Sequence, residues 1–241
     1  PLVLLHAFPL SHAMWRPQLD APPPGWRLVA PDLRGFGASD RVPPESAKPA
    51  AGAQSMLDYA QDVAALIEEL GLEQPVVGGL SMGGYVAFAL WRLMGPRFGG
   101  LVLADTRPEA DTDEARGNRR KTQELLLDRG VAVVADQLLP KLLGATTLRE
   151  RPSLADEVRE LIMGNTAGAV HDALEALATR PDSTSLLAEI RCPTLIVAGR
   201  EDALTPVALH EAMHAGIAGS RLEVIDDAGH LSNFECPAEF S

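Results

Sequence analysis

Short, mostly apolar runs recur along the chain, and the hydrophobic period changes between them. Residues 2–5, 26–30, 75–80, 101–105, 194–199 and 222–225 are of strand length. Their lack of clean apolar–polar alternation is the pattern of strands buried on both faces. Between them apolar positions recur every three or four residues. Residues 55–70 carry Tyr59, Val63, Leu66, Ile67 and Leu70 at that spacing, and Gly71 stops them. Residues 82–93 and 206–217 read as further helices, the last with Pro206 in its first turn. Ser11 can cap a short helix bearing Met14, Trp15 and Leu19. Six strands alternating with helices predict an α/β fold: a doubly wound, mostly parallel sheet.

One block breaks the alternation. Residues 106–185 show helical periodicity and no convincing strand, with helices expected near 116–129, 131–143, 154–163 and 167–179. In the first of these, Leu125, Leu126 and Leu127 are expected on one face. Strands resume afterwards, so the block is an insertion and not a separate domain. The predicted organisation is a core at 1–105 and 186–241 with a helical insertion at 106–185. Residues 41–54, rich in Pro, Ala and Gly, read as a mobile surface loop.

Composition adds limits. The chain has 241 residues, 46% hydrophobic and 22% charged, which suits one large globular domain. A net charge of -12 argues against nucleic acid and anionic membrane surfaces as partners. No apolar run is long enough to span a bilayer. Cys192 and Cys236 show neither a disulfide framework nor metal spacing; read as free thiols, they point to a reducing, cytoplasmic setting.

The candidate chemistry centres on Gly79-Leu80-Ser81-Met82-Gly83, between a predicted strand and a predicted helix. A serine on so tight a turn needs glycine on either side, because side chains there would strike the flanking elements. A glycine-rich helix start packed on the sheet is the plain alternative. A serine hydroxyl needs a base, and the base an orienter. His230, after the last strand and freed by Gly229, is the best base. His6 is expected to order the turn after the first strand; His171, His210 and His214 fall in predicted helices and are expected at the surface. Asp202, beyond the fifth strand, is the preferred orienter, with Asp105 its competitor and Glu201 expected to face solvent. The backbone amides of Phe8 and Met82 are the expected oxyanion donors. His6, Asp32, Ser81, Asp105, Asp202 and His230 all follow strand ends, where such sheets bind ligands. No metal or cofactor is called for.

Four stretches carry a resemblance: His6-Ala7-Phe8-Pro9-Leu10, Pro31-Asp32-Leu33-Arg34-Gly35-Phe36-Gly37-Ala38-Ser39, Gly79-Leu80-Ser81-Met82-Gly83-Gly84 and Gly229-His230-Leu231-Ser232. Together they resemble the α/β-hydrolase superfamily, in its small serine carboxylesterase and 3-oxoadipate enol-lactonase branch. The resemblance implies that the insertion is a cap over the cleft and that Trp15 and Leu231 help to line a substrate pocket. It makes the Asp32–Arg34 loop structural. It also implies two strands before residue 1 and a full helix after His230, so the core is expected to be shortened at both ends. Ala7 stands where the family often has Gly. The implied activity is hydrolysis of small or medium carboxylic esters through an acyl-enzyme on Ser81. A lactonase, a carbon–carbon bond hydrolase of aromatic catabolism, a perhydrolase, or a ligand-binding receptor of hydrolase fold are the alternatives.

Overall fold

The apolar runs pair into one sheet. In the computed structural model, which describes residues 1–41 and 54–241, they form β1 (Leu2–Leu5), β2 (Leu28–Val29), β3 (Val76–Leu80), β4 (Gly100–Ala104), β5 (Thr194–Gly199) and β6 (Arg221–Ile225). The six strands are parallel in the order β2-β1-β3-β4-β5-β6. The second run, expected over 26–30, pairs only at Leu28–Val29 on the sheet edge, where Trp26 is exposed. Most of the loop expected at 41–54 lies outside the described residues.

Helices α1 (Arg16–Asp20), α2 (Met56–Glu69) and α3 (Met82–Met94) accompany the first strands. The insertion holds α4 (Asp113–Arg129), α5 (Ala132–Leu142), α6 (Ala145–Glu150), α7 (Ser153–Met163) and α8 (Ala167–Thr179). The chain closes with α9 (Val207–Gly216), α10 (Ser232–Glu235) and α11 (Pro237–Phe240). The α2 start is a reciprocal cap: Ser55 and Asp58 each bond the other's backbone N–H. The short α6 has no apolar period to announce it. In α4 the expectation of three leucines on one face fails: Leu126 is buried and Leu127 is exposed. Consecutive helical residues sit about 100° apart, so three in a row cannot share a face.

Strand alternation builds two cores. Val3, Leu5, Val77 and Ile196 pack with Tyr59, Val86 and Met213 of α2, α3 and α9. Leu4, Leu80, Ala104 and Val197 face the other way, onto Met14, Trp15 and Leu231. The register sets Leu80 opposite Ala104 and Gly199 opposite Ile225, so the carboxyl ends of the central strands lie together under the insertion.

Candidate active site

Ser81 is the hinge between β3 and α3. Its backbone takes φ 55° and ψ -113°, a conformation L-residues adopt at a cost. Neighbours hold it there. The Ser81 N–H donates to Ala104 O at 3.0 Å, and Thr106 Oγ1 donates to Ser81 O at 2.8 Å. A side chain at Gly79 would overlap the Gly83 carbonyl, and one at Gly83 would overlap the Leu5 carbonyl. The glycine spacing in the sequence therefore has a steric cause in the fold.

His230 and Asp202 complete a line. The Ser81 hydroxyl donates to His230 Nε2 at 2.7 Å, and His230 Nδ1–H donates to Asp202 Oδ2 at 2.8 Å. A carboxylate can only accept, which places the imidazole proton on Nδ1 and leaves Nε2 free for the serine. Asp202 is itself fixed: the amides of Leu204 and Thr205 donate to Oδ1 at 2.7 and 3.0 Å, and the Thr205 hydroxyl to Oδ2. Burial pushes its carboxyl up, but the His230 charge and these donors outweigh it and hold the pKa at about 2. Burial lowers the His230 pKa, and Asp202 more than reverses this, leaving it above the ordinary histidine value.

The other candidates are sorted by their partners. Asp105 does not bond the imidazole. It accepts from the Gly199 amide at 2.8 Å and from Ser232 Oγ at 2.5 Å. Burial and the nearby Asp202 charge push its carboxyl up to about 7. His6 is wholly buried; it accepts from the Leu33 amide at 2.9 Å and donates to Ala7 O at 3.0 Å, and burial lowers its pKa to about 4. Asp32 accepts from the amides of His12 and Ala38, while Arg34 pairs with Asp62 of α2. His210, expected at the surface, is buried and accepts from the Thr106 amide at 3.2 Å. It sits on the inner face of α9, against the strands. His171 is mostly buried; His214 alone of these three is exposed.

A cavity of about 300 Å³ opens beside Ser81 and His230. Phe8 lines it, and Met82 heads α3, where first-turn amides have no partner within the helix. Leu138, Leu142, Leu174 and Leu177 of the insertion supply apolar wall. Trp15 and Leu231 do not reach it, contrary to expectation. Trp15 lies on the opposite side of the sheet, its ring 5.9 Å from that of Phe240. Leu231 is fully buried in the same cluster, because the turn that aims His230 at Ser81 aims its neighbour the other way.

Several contributors carried no signal in the sequence. Glu235 is buried and accepts from the amides of Gly144 at 2.7 Å and Gly229 at 2.9 Å, joining the His230 loop to the insertion. Glu201, expected to face solvent, is only part-buried but bonds the insertion: it accepts from the Thr146 amide and hydroxyl at 2.8 and 2.7 Å. Asn165 donates to Pro9 O at 2.9 Å and accepts from the Gly37 amide at 3.0 Å. Apart from Gly229, six residues before Glu235, each partner is distant in sequence, so spacing could not reveal it.

A parallel sheet with an inserted helical cap, and a serine on a strained strand–helix turn beneath it, define an α/β hydrolase. The chain belongs to the α/β-hydrolase fold family, whose model matches residues 1–237. An esterase from Thermogutta terrifontis, solved with malate bound, is 40% identical and superposes with a TM-score of 0.93, over 100% of this chain and 86% of its own. 3-Oxoadipate enol-lactonase 1 of Acinetobacter baylyi is 28% identical across 99% of this chain and 85% of its own. The 2-hydroxy-6-oxononadienedioate/2-hydroxy-6-oxononatrienedioate hydrolase of Klebsiella pneumoniae is 29% identical over 90% and 74% respectively. Among the described residues no helix is long and apolar enough to cross a membrane.

Proposed function

We propose that the protein is a serine hydrolase of small or medium carboxylic esters, with Ser81 as nucleophile, His230 as general base and acid, and Asp202 as orienter. The observation that carries this is the unbroken line from Ser81 Oγ through His230 to Asp202, at 2.7 and 2.8 Å. Ser81 Oγ attacks the ester carbonyl as its proton passes to His230 Nε2. The amides of Phe8 and Met82 hold the oxyanion. On collapse the C–O bond breaks, and the imidazolium gives its proton to the leaving alcohol. Water then gives a proton to His230 and attacks the acyl-enzyme, releasing the acid and restoring the serine. A lactone follows the same course with its alcohol still tethered; the enol-lactonase relative favours this as the second reading.

A panel of neutral esters and lactones of graded acyl length, run with the native protein and with Ser81→Ala, tests the reading. Turnover is expected in the native protein, and Ser81→Ala should lower kcat by about 10⁴- to 10⁶-fold. Full activity in Ser81→Ala would sink the assignment.

A further inference from the structure

Part of the cavity lining differs from its apolar wall. Arg107 and Arg119, with Lys141 at the rim, line the same space as Ser81. Asp111, whose side chain is almost wholly covered, stands among them in the lining. It bonds Arg119, accepts from Arg180 at 2.6 Å, and lies 3.6 Å from Arg107. One carboxylate is thus shared among three guanidinium groups. Arg180 is buried and lies over the Tyr85 ring, 4.2 Å from its centroid, so its own face is occupied. Arg107 is different. It lines the cavity and is partly open, and its contact with Asp111 is beyond hydrogen-bond distance. In a chain of net charge -12, a concave site with this excess of positive charge stands out. Field lines concentrate in such a site, and a guanidinium open to it matches a carboxylate.

From this we infer that the cavity accepts esters bearing a second, free carboxylate remote from the scissile bond. Arg107 would bind that carboxylate, and Arg119 and Lys141 would supply the surrounding field. The leucines lining the same cavity suit an aliphatic spacer, so half-esters of short dicarboxylic acids are the expected substrate class. The inference rests on the reading of Ser81 as nucleophile.

The experiment compares monomethyl adipate with methyl hexanoate by methanol release, in the native protein, Arg107→Met, Arg107→Lys and Lys141→Met. The native protein should prefer the charged ester by about ten- to hundredfold in kcat/KM, as one charge-assisted hydrogen bond supplies. The preference should shrink with added salt. It should collapse towards unity in Arg107→Met, chiefly through KM, survive in part in Arg107→Lys, and weaken in Lys141→Met. The butanoate esters of a hydroxy acid and of the matching alcohol show whether the carboxylate is taken on the alcohol side instead. Adipate alone should raise Tm in the native protein and in Ser81→Ala but not in Arg107→Met, a readout independent of turnover and of the nucleophile. An equal or better neutral ester on both sides, with no protection by adipate, overturns the inference. Loss of neutral-ester turnover in Ser81→Ala would still stand for the hydrolase reading in that case. Persistent charge preference in Arg107→Met would remove Arg107 from it.

Discussion

Two buried aspartates lie near His230, and their roles separate at the level of single atoms. Asp202 bonds the imidazole and is held ionised; Asp105 bonds Ser232 and Gly199 and is pushed towards its neutral form. Asp202→Asn is expected to lower kcat by about 10⁴-fold, because an amide can hold the wrong imidazole tautomer. Asp105→Asn keeps a carbonyl for the Gly199 amide and should retain far more turnover. The pH profile adds a sign. His230 must be neutral to accept the serine proton, so kcat/KM should fall on acidification, with its midpoint above the ordinary histidine value. Removing the Asp202 charge removes the cause of that elevation, so the acid limb of Asp202→Asn should move to lower pH. If the two variants exchanged these behaviours, Asp105 would be the orienter. The preference for Asp202 was readable from the order serine, acid, histidine along the chain; the hydrogen bonds of Asp105 were not.

At the scale of elements, the site depends on close backbone approaches between segments. Gly79 and Gly83 could be read from sequence because both flank the serine on one turn. Gly229 could not: a side chain there would overlap the backbone at Leu143 and Gly144, in the segment between α5 and α6. The same place is tied by Glu235, by the Leu231 amide donating to Leu142 O at 3.1 Å, and by Glu201 on Thr146. The insertion is therefore bonded to the loop that carries His230. Gly229→Ala should push them apart, costing about 1–3 kcal/mol of stability, and should lower kcat by shifting His230. Urea denaturation and initial rates check both effects; native values in both would mean that the contact yields without consequence.

Across the molecule, the cap and the sheet layer are joined by polar clamps as well as by leucines. Arg41 and Asp172 form a buried pair at 2.8 and 3.2 Å between the loop after β2 and α8. Removing Asp172 takes charge-assisted hydrogen bonds away from a buried guanidinium. Asp172→Ala should cost about 1.5–3 kcal/mol, or roughly 5–10 °C in Tm for a chain of this size. Calorimetry that found an unchanged Tm would show the pair to be dispensable. This clamp joins residues far apart in the chain, and neither stands in a recognisable motif.

The chain by itself determined the features that depend on local order. Apolar runs alternating with helical periodicity specify a doubly wound parallel sheet, because strand and helix periods are properties of neighbouring residues. The serine turn is specified in the same way, since its glycines relieve contacts within a few residues. Tertiary structure decided the rest. Trp15 and Leu231 left the pocket for the opposite core, and Asp105 turned to Ser232. Glu201 and Glu235 became cap anchors, and three arginines gathered on Asp111 at the cavity wall. Direction, burial and partnership are set by whichever distant segments the sheet brings together, and no spacing along the chain encodes them.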